Sequence, residues 1–243
     1  MKIIALGDTH GRNYWESIWE KHSDADYFVF IGDYFDSKEG ITAEQQLENF
    51  QKIVALKKQH PQKVILLFGN HDYHYTDLVP TIDKYSGYQF NYASLICKAI
   101  KEALDEKLFQ MCFKYENFLF SHAGISKRWC DVFLKIKEEN NFLITNIDEL
   151  VNNLFYNNPE KFAFAMGANF DFEGDDICQT PIWIRPPSLL KNKINGYTQI
   201  VGHTVQNQIN LNQEVIFIDT FEKSKEYLII EGFNSFKIDS FNE

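Results

Sequence analysis

The sequence has 243 residues, 44% of them hydrophobic and 16% aromatic, and carries a formal net charge of −10. That length allows one α/β domain or two small ones, and because no linker-like tract is found a single domain over residues 1–243 is expected. The charge argues against nonspecific binding to nucleic acid or to an anionic membrane, because both repel an acidic chain.

The four cysteines, Cys97, Cys112, Cys130 and Cys178, form no CxxC pair and no zinc-like spacing, so they read as thiols in a reducing cytosol. The apolar run from Ile3 to Leu6 is too short for the core of a secretion signal. No later run approaches the ~18 apolar residues of a membrane span. A cytoplasmic location is therefore expected.

Residues 2–6 read as a first strand ending in Gly7-Asp8-Thr9-His10-Gly11. Asp8 and His10, two positions apart, point the same way if strand geometry persists. A helix is expected over 13–22, then a second strand over 27–31 that ends in Gly32-Asp33-Tyr34-Phe35-Asp36. Thr42 with Gln45 predicts a capping box, and Leu47, Phe50, Val54 and Leu56 give the helix behind it an apolar face as far as His60-Pro61. The apolar run 64–67 predicts a third strand, which feeds Phe68-Gly69-Asn70-His71-Asp72. This β-loop-α rhythm predicts a sheet with parallel strands at its start and helices on its faces.

Residues 73–106 break the rhythm and read as an insertion with a helix over 91–106. Its rings, Tyr73, Tyr75, Tyr85, Tyr88, Phe90 and Tyr92, either pack the insertion or stack on a substrate. Residues 108–115 and 118–120 predict a hairpin whose second strand ends in Ser121-His122-Ala123-Gly124. Helices are expected over 126–139 and 147–155, and the acidic stretch 171–176 reads as a solvated loop without calcium-loop spacing. A strand at 199–201 ends in Gly202-His203-Thr204, and strands near 214–219, 226–231 and 236–239, expected to be antiparallel, close the chain.

The recurring pattern is an apolar strand followed by a loop that combines glycine with carboxylate, amide or imidazole. Asp8, His10, Asp33, Asp36, Asn70, His71, Asp72, His122 and His203 all stand in such positions, and they include four of the 7 histidines. This nitrogen and oxygen set suits manganese, iron, zinc, nickel or cobalt better than magnesium or calcium. The lack of cysteine argues against a structural zinc site.

In their order, GD-x-HG, GD-xx-D, GNH-D, HAG and GHT resemble the calcineurin-like metallophosphoesterase superfamily, and HAG with the isolated GHT resemble its phosphoprotein phosphatase branch. That branch includes bacterial and phage serine/threonine phosphatases and diadenosine tetraphosphatases. The resemblance implies a layered α-β-β-α sandwich with mixed sheets and a site with two divalent metal ions, manganese first among the candidates. It implies that Asp8 and His10 bind one metal, that Asp33 bridges both, and that Asn70, His122 and His203 bind the second. His71 would be the general acid, oriented by Asp36, and a metal-bridging hydroxide the nucleophile. Trp183-Ile184-Arg185 resembles the phosphatases' Trp-x-Arg segment, making Arg185 a phosphate contact, and Arg12, just after the first motif, is a second candidate. The expected activity is hydrolysis of phosphomonoesters, phosphoserine and phosphothreonine included. Alternatives are dinucleoside polyphosphate hydrolysis and a non-catalytic binding module on the same fold. Two departures stand out. Asp36-Ser37-Lys38 replaces the branch's Asp-Arg-Gly, leaving Lys38 as a possible point charge, and Asp72 stands where glutamate is common.

Overall fold

The computed structural model describes residues 1–79, 87–135, 144–165, 173–212, 214–232 and 235–241. Ten strands form two mixed sheets among these residues. The first sheet starts from β1 (Lys2–Leu6), β2 (Tyr27–Phe30) and β3 (Val64–Leu67), which lie parallel and side by side. Their side chains alternate between two cores. Ile3, Ala5, Val29, Ile31, Ile65 and Leu67 face the second sheet, while Ile4, Leu6, Phe28, Phe30, Val64 and Leu66 join the outer core under the helices. A strand apolar on both faces is what a covered parallel sheet requires.

Helix α1 (Trp15–Lys21) and helix α2 (Ala43–Gln59) connect these strands. The capping box at Thr42 forms as expected, with Gln45 answering in both directions. A single turn, α3 (Asn70–Tyr73), follows β3 directly, and α4 (Ala93–Asp105) packs against α2. Tyr85 of the expected ring cluster lies outside the described residues. Of the others, Tyr73 and Tyr75 are buried and Phe90 is 66% exposed, so the insertion's rings do not all pack alike.

The expected strand over 108–115 is in fact two. β4 (Phe109–Gln110) pairs parallel with β3 in the first sheet, and β5 (Cys112–Tyr115) pairs antiparallel with β6 (Phe118–Ser121) in the second. The chain changes sheets at Met111, which is fully buried. No sign of this switch is visible in the run, because Phe109, Met111 and Cys112 are all buried and no exposed turn separates the two strands.

After β6 come the one-turn helix α5 (Lys127–Trp129) and a π-turn, Cys130–Leu134. The expected helix over 126–139 is thus short where described, and its remainder lies outside the described residues. α6 (Ile147–Asn157) covers the outer face of β5, and α7 (Pro186–Asn192) sets Leu189 against Val201, Val215 and Phe217. β7 (Thr198–Val201) runs parallel to β6, and β8 (Val215–Phe217) runs parallel to β7, not antiparallel as expected. β9 (Glu226–Glu231) and β10 (Ser235–Ser240) are antiparallel as expected and extend the first sheet beyond β1.

The layers are therefore helices, sheet, sheet, helices. Ile3, Val29 and Ile65 meet Phe118, Phe120, Ile200 and Ile216 in one core between the sheets. The parallel strands of both sheets end along a shared edge, where open α/β sheets place their ligands.

Phe50 is 1% exposed and packs on Tyr34, Phe35 and Phe109 at ring-centroid distances of 5.4, 5.0 and 6.1 Å. Phe50→Ala should cost about 3–5 kcal/mol, read as a fall in the denaturant midpoint at unchanged slope.

Candidate metal centre

Five strand ends meet at that edge. β1 delivers Asp8 and His10, β2 delivers Asp33 and Asp36, β3 delivers Asn70, His71 and Asp72, β6 delivers His122, and β7 delivers His203. Ligand atoms of Asp8, His10 and Asp33 lie within 4.8 Å of one another, as do those of Asp33, His122 and His203. Asn70 joins the second group, its Oδ1 being 3.0 Å from His122 Nε2 and 2.9 Å from His203 Nδ1. Asp33 is common to both groups.

Each imidazole has one nitrogen against a backbone carbonyl. His10 Nδ1 faces Phe35 O, His122 Nδ1 lies 3.0 Å from Ile31 O, and His203 Nε2 lies 3.2 Å from Trp183 O. A carbonyl can only accept, so the facing nitrogen carries the proton and donates it. The opposite nitrogen then offers a lone pair to the interior. His122 Nε2 and His203 Nδ1 thereby converge on Asn70 Oδ1, and His122 Nε2 lies 3.3 Å from Asp33 Oδ2. Acceptors crowded together in this way repel one another unless a cation sits among them. Backbone carbonyls that fix the tautomer from behind are the usual support of metal-binding histidines.

The carboxylates make the same demand. Asp8, Asp33, Asp72 and Asp219 are buried, each at most 2% exposed. Burial pushes the Asp8 carboxyl well above its usual range, and the Asp219 and Asp33 charges add to it. Burial and Asp33 likewise push Asp72 and Asp219 up to about 7. Buried anions facing one another are unfavourable without a compensating charge. Burial lowers His10 to about 4 and, with the Arg185 cation, holds His203 well below its ordinary range, so both stay neutral and able to ligate. The donor set fits divalent ions: Asp8, His10 and Asp33 can hold one, and Asp33, Asn70, His122 and His203 another.

The backbone around these groups is unusual. His10, Asp33, Asp36 and His203 take φ values of 43°, 54°, 68° and 65°. Such conformations cost of order 1–3 kcal/mol each and persist where surrounding bonds over-determine them. Here His10 N donates to Asp33 O at 2.8 Å, and His203 N donates to both Asp8 carboxylate oxygens at 3.1 and 3.0 Å. Asp72 accepts from the N–H groups of Asp33, Tyr34 and Gly69 at 2.8, 2.8 and 2.9 Å, tying the second loop to the third. The sequence places Asp72 among the strand-end groups and marks it as a departure from the commoner glutamate, whereas Asp219 follows Ile218 and lies outside the glycine-plus-ligand pattern.

His71 stands half-buried beside the two groups, its ring edge-on to His10 at 5.3 Å. Its Nδ1 donates to Asp36 Oδ2 at 2.7 Å. Burial pushes His71 down, but the Asp33 and Asp36 carboxylates outweigh it and raise its pKa. The two arginines differ. Arg185 lies beside His203, its Nη1 donating to His203 O at 3.2 Å and to Thr204 Oγ1 at 3.1 Å. Arg12 is buried and paired with Glu39 at 2.8 Å and Glu222 at 3.6 Å. Lys38 is exposed. The acidic stretch, where described, is less open than expected, since Asp176 is buried and Asp175 Oδ1 accepts from Ser188 N in the first turn of α7.

The sequence matches the calcineurin-like phosphoesterase family over residues 1–207. No curated protein sequence matches it significantly. Among solved structures, a protein serine/threonine phosphatase from Saccharomyces cerevisiae, with similarity to human phosphatase PP5, matches 100% of this chain and 80% of its own at 15% identity and a TM-score of 0.58. This likeness shows the fold. A metallophosphoesterase from Sphaerobacter thermophilus matches 51% of this chain and 47% of its own, at 14% identity and a TM-score of 0.34. The phosphoesterase Yfce from E. coli matches 51% of this chain and 58% of its own, at 15% identity and a TM-score of 0.27.

Two outcomes are expected. A Cβ at Gly202 would fall on Asp8 Oδ1 and on the Ile31 side chain, so Gly202→Ala should weaken manganese binding about 10- to 100-fold in titration calorimetry, as lost ligand support does elsewhere. Manganese affinity should also rise with pH, because metal displaces a proton that burial holds on the Asp8 carboxyl, while His10, lowered to about 4, adds nothing above that. Calorimetry in buffers of different ionisation enthalpy reads the released proton.

Proposed function

The chain belongs to the calcineurin-like phosphoesterase family, and on that premise we propose that it is a two-metal hydrolase of phosphomonoesters, phosphoserine and phosphothreonine included. The observation that carries this reading is Asp33 shared between two ligand groups, with His71 beside them and Asp36 behind it. We assign one metal to Asp8, His10 and Asp33, and the second to Asp33, Asn70, His122 and His203. Divalent ions there, manganese first among the candidates, supply Lewis acidity toward a phosphoryl group and lower the pKa of water.

The chain's own groups do the rest. Asp36 accepts a hydrogen bond from the Nδ1–H of His71, which fixes the ring and leaves Nε2 for the leaving-group oxygen. The same carboxylate, with Asp33, favours the protonated imidazole that a general acid needs. His71 gives its Nε2 proton to the departing oxygen, and the product leaves as a neutral alcohol. Arg185 offers a planar cation beside His203, suited to a phosphate oxygen. Arg12 is committed to Glu39 and Glu222, so of the two arginines Arg185 is the one we assign to substrate.

The test is hydrolysis of p-nitrophenyl phosphate and of a phosphoserine peptide, with manganese or with chelator. Turnover should require metal and vanish in Asp33→Asn. His71→Asn should retain metal and lose about 100-fold or more in kcat on the phosphopeptide. Turnover of diadenosine tetraphosphate with none on either monoester would overturn the substrate class. Equal activity in chelator would overturn the metal mechanism.

A further inference from the structure

Asp36 has more partners than orienting His71 requires. The carboxylate is buried, 1% exposed. Its Oδ2 accepts from His71 Nδ1 at 2.7 Å and its Oδ1 accepts from the Tyr75 hydroxyl at 2.6 Å, while His74 Nε2 is set against Oδ2 at 2.6 Å as a close polar contact outside hydrogen-bond alignment. Gln46 Oε1, from α2, accepts the Asp36 N–H at 2.7 Å. Both oxygens and the backbone of one side chain are thus occupied at once.

The added partners come from the stretch that broke the β-loop-α rhythm. The Tyr75 hydroxyl donates to Asp36 and accepts from Gln89 N at 2.9 Å, so its proton has one direction to go. Its ring is stacked on Tyr88 at 4.6 Å and edge-on to Phe35 at 5.4 Å. His74 is fully buried and edge-on to Tyr75 at 4.6 Å and to Tyr88 at 5.0 Å. Gly87, at φ 94°, brings its backbone so close that an added Cβ would stand 2.9 Å from Asp36 Cβ. Rings, backbone and two donors thus all close on one carboxylate.

We propose that His74 and Tyr75 are positioning residues of the reaction, which clamp Asp36 so that it holds His71 in line for proton donation to the leaving group. The inference rests on the reading of His71 as general acid. A carboxylate bonded to His71 alone can turn about its Cβ–Cγ bond and carry the imidazole with it. With Oδ1 tied to the Tyr75 hydroxyl and His74 Nε2 set against Oδ2, that turn breaks the Tyr75 bond and separates Oδ2 from the His74 ring. Within the insertion's ring cluster, Tyr75 therefore serves the acid from behind.

The clamp predicts which substrates suffer. Proton donation matters most where the leaving group is a poor one, and least where it departs unaided. Tyr75→Phe keeps the ring stack and removes the hydroxyl. It should lower kcat/KM for phenyl phosphate about tenfold and that for p-nitrophenyl phosphate by about threefold or less. His74→Leu should show the same selectivity, and His74→Gln, which retains a donor near the Nε2 position, should restore most of the loss. A readout independent of turnover is the His71 ring N–H signal in the metal-free protein. Protected from exchange by Asp36 in the native chain, it should broaden in Tyr75→Phe.

Equal losses on both esters, or none, with unchanged manganese content and thermal midpoint, would overturn the clamp. His71→Asn is the control that separates the two readings. If it loses both esters equally, the general-acid assignment falls and the clamp with it. If it is selective for phenyl phosphate and the clamp variants are not, only the clamp falls.

Discussion

The site depends on acceptors held face to face. His122 Nε2, His203 Nδ1, Asn70 Oδ1 and the Asp33 carboxylate point at a common interior, and each imidazole is prevented from turning away by a backbone carbonyl behind it. An arrangement of lone pairs like this is costly to fold and useful only to a cation. The fold meets the cost in its backbone. Loops at the ends of β1, β2 and β7 adopt left-handed conformations at His10, Asp33, Asp36 and His203, and a mesh of N–H donors to Asp8, Asp33 and Asp72 keeps them there. The strain lies where the strands stop, and the sheets below, apolar on both faces, are what hold it.

The two sheets divide the work. The first presents Asp8, His10, Asp33 and Asn70; the second presents His122 and His203. Neither sheet alone completes a ligand group containing His122 or His203, because Asp33 and Asn70 reach them only across the inter-sheet core. Contacts between Val29 or Ile65 and Phe120 or Ile200 are therefore part of what sets the ligand spacing, though they lie well below it.

Much of this was legible in the sequence. Strong apolar runs gave β1, β2 and β3 nearly to the residue, Thr42 and Gln45 gave the start of α2, and the glycine-plus-ligand pattern brought the metal candidates together on paper as the fold does in space. What was not legible has physical reasons. Residues 108–115 are apolar apart from Gln110 and Lys114, and with Phe109, Met111 and Cys112 all buried no exposed turn betrays a change of sheet. β8 is three residues long, and its direction is set by its neighbour β7, not by anything local. Asp219 has Ile218 before it and Thr220 after it, so the glycine-plus-ligand pattern passes over it. His74 and Tyr75 read as one more histidine and one more ring in an aromatic stretch, because a polar contact with Asp36, more than 35 positions away, has no spacing to recognise.

The split at Met111 has a mechanical meaning. Two packed sheets can slide over each other when only side chains join them, since interdigitated layers yield by small shears. Here one continuous stretch of backbone is hydrogen-bonded into the first sheet up to Gln110 and into the second from Cys112, and α6 reinforces the passage where Asn152 Oδ1 accepts from Met111 N at 2.7 Å and from Cys112 N at 3.1 Å. The crossing acts as a rivet through both plates. Sliding would have to break strand pairing on one side or the other, so the gap between Asp33 on one sheet and His122 on the other is fixed by covalent connectivity as well as by packing.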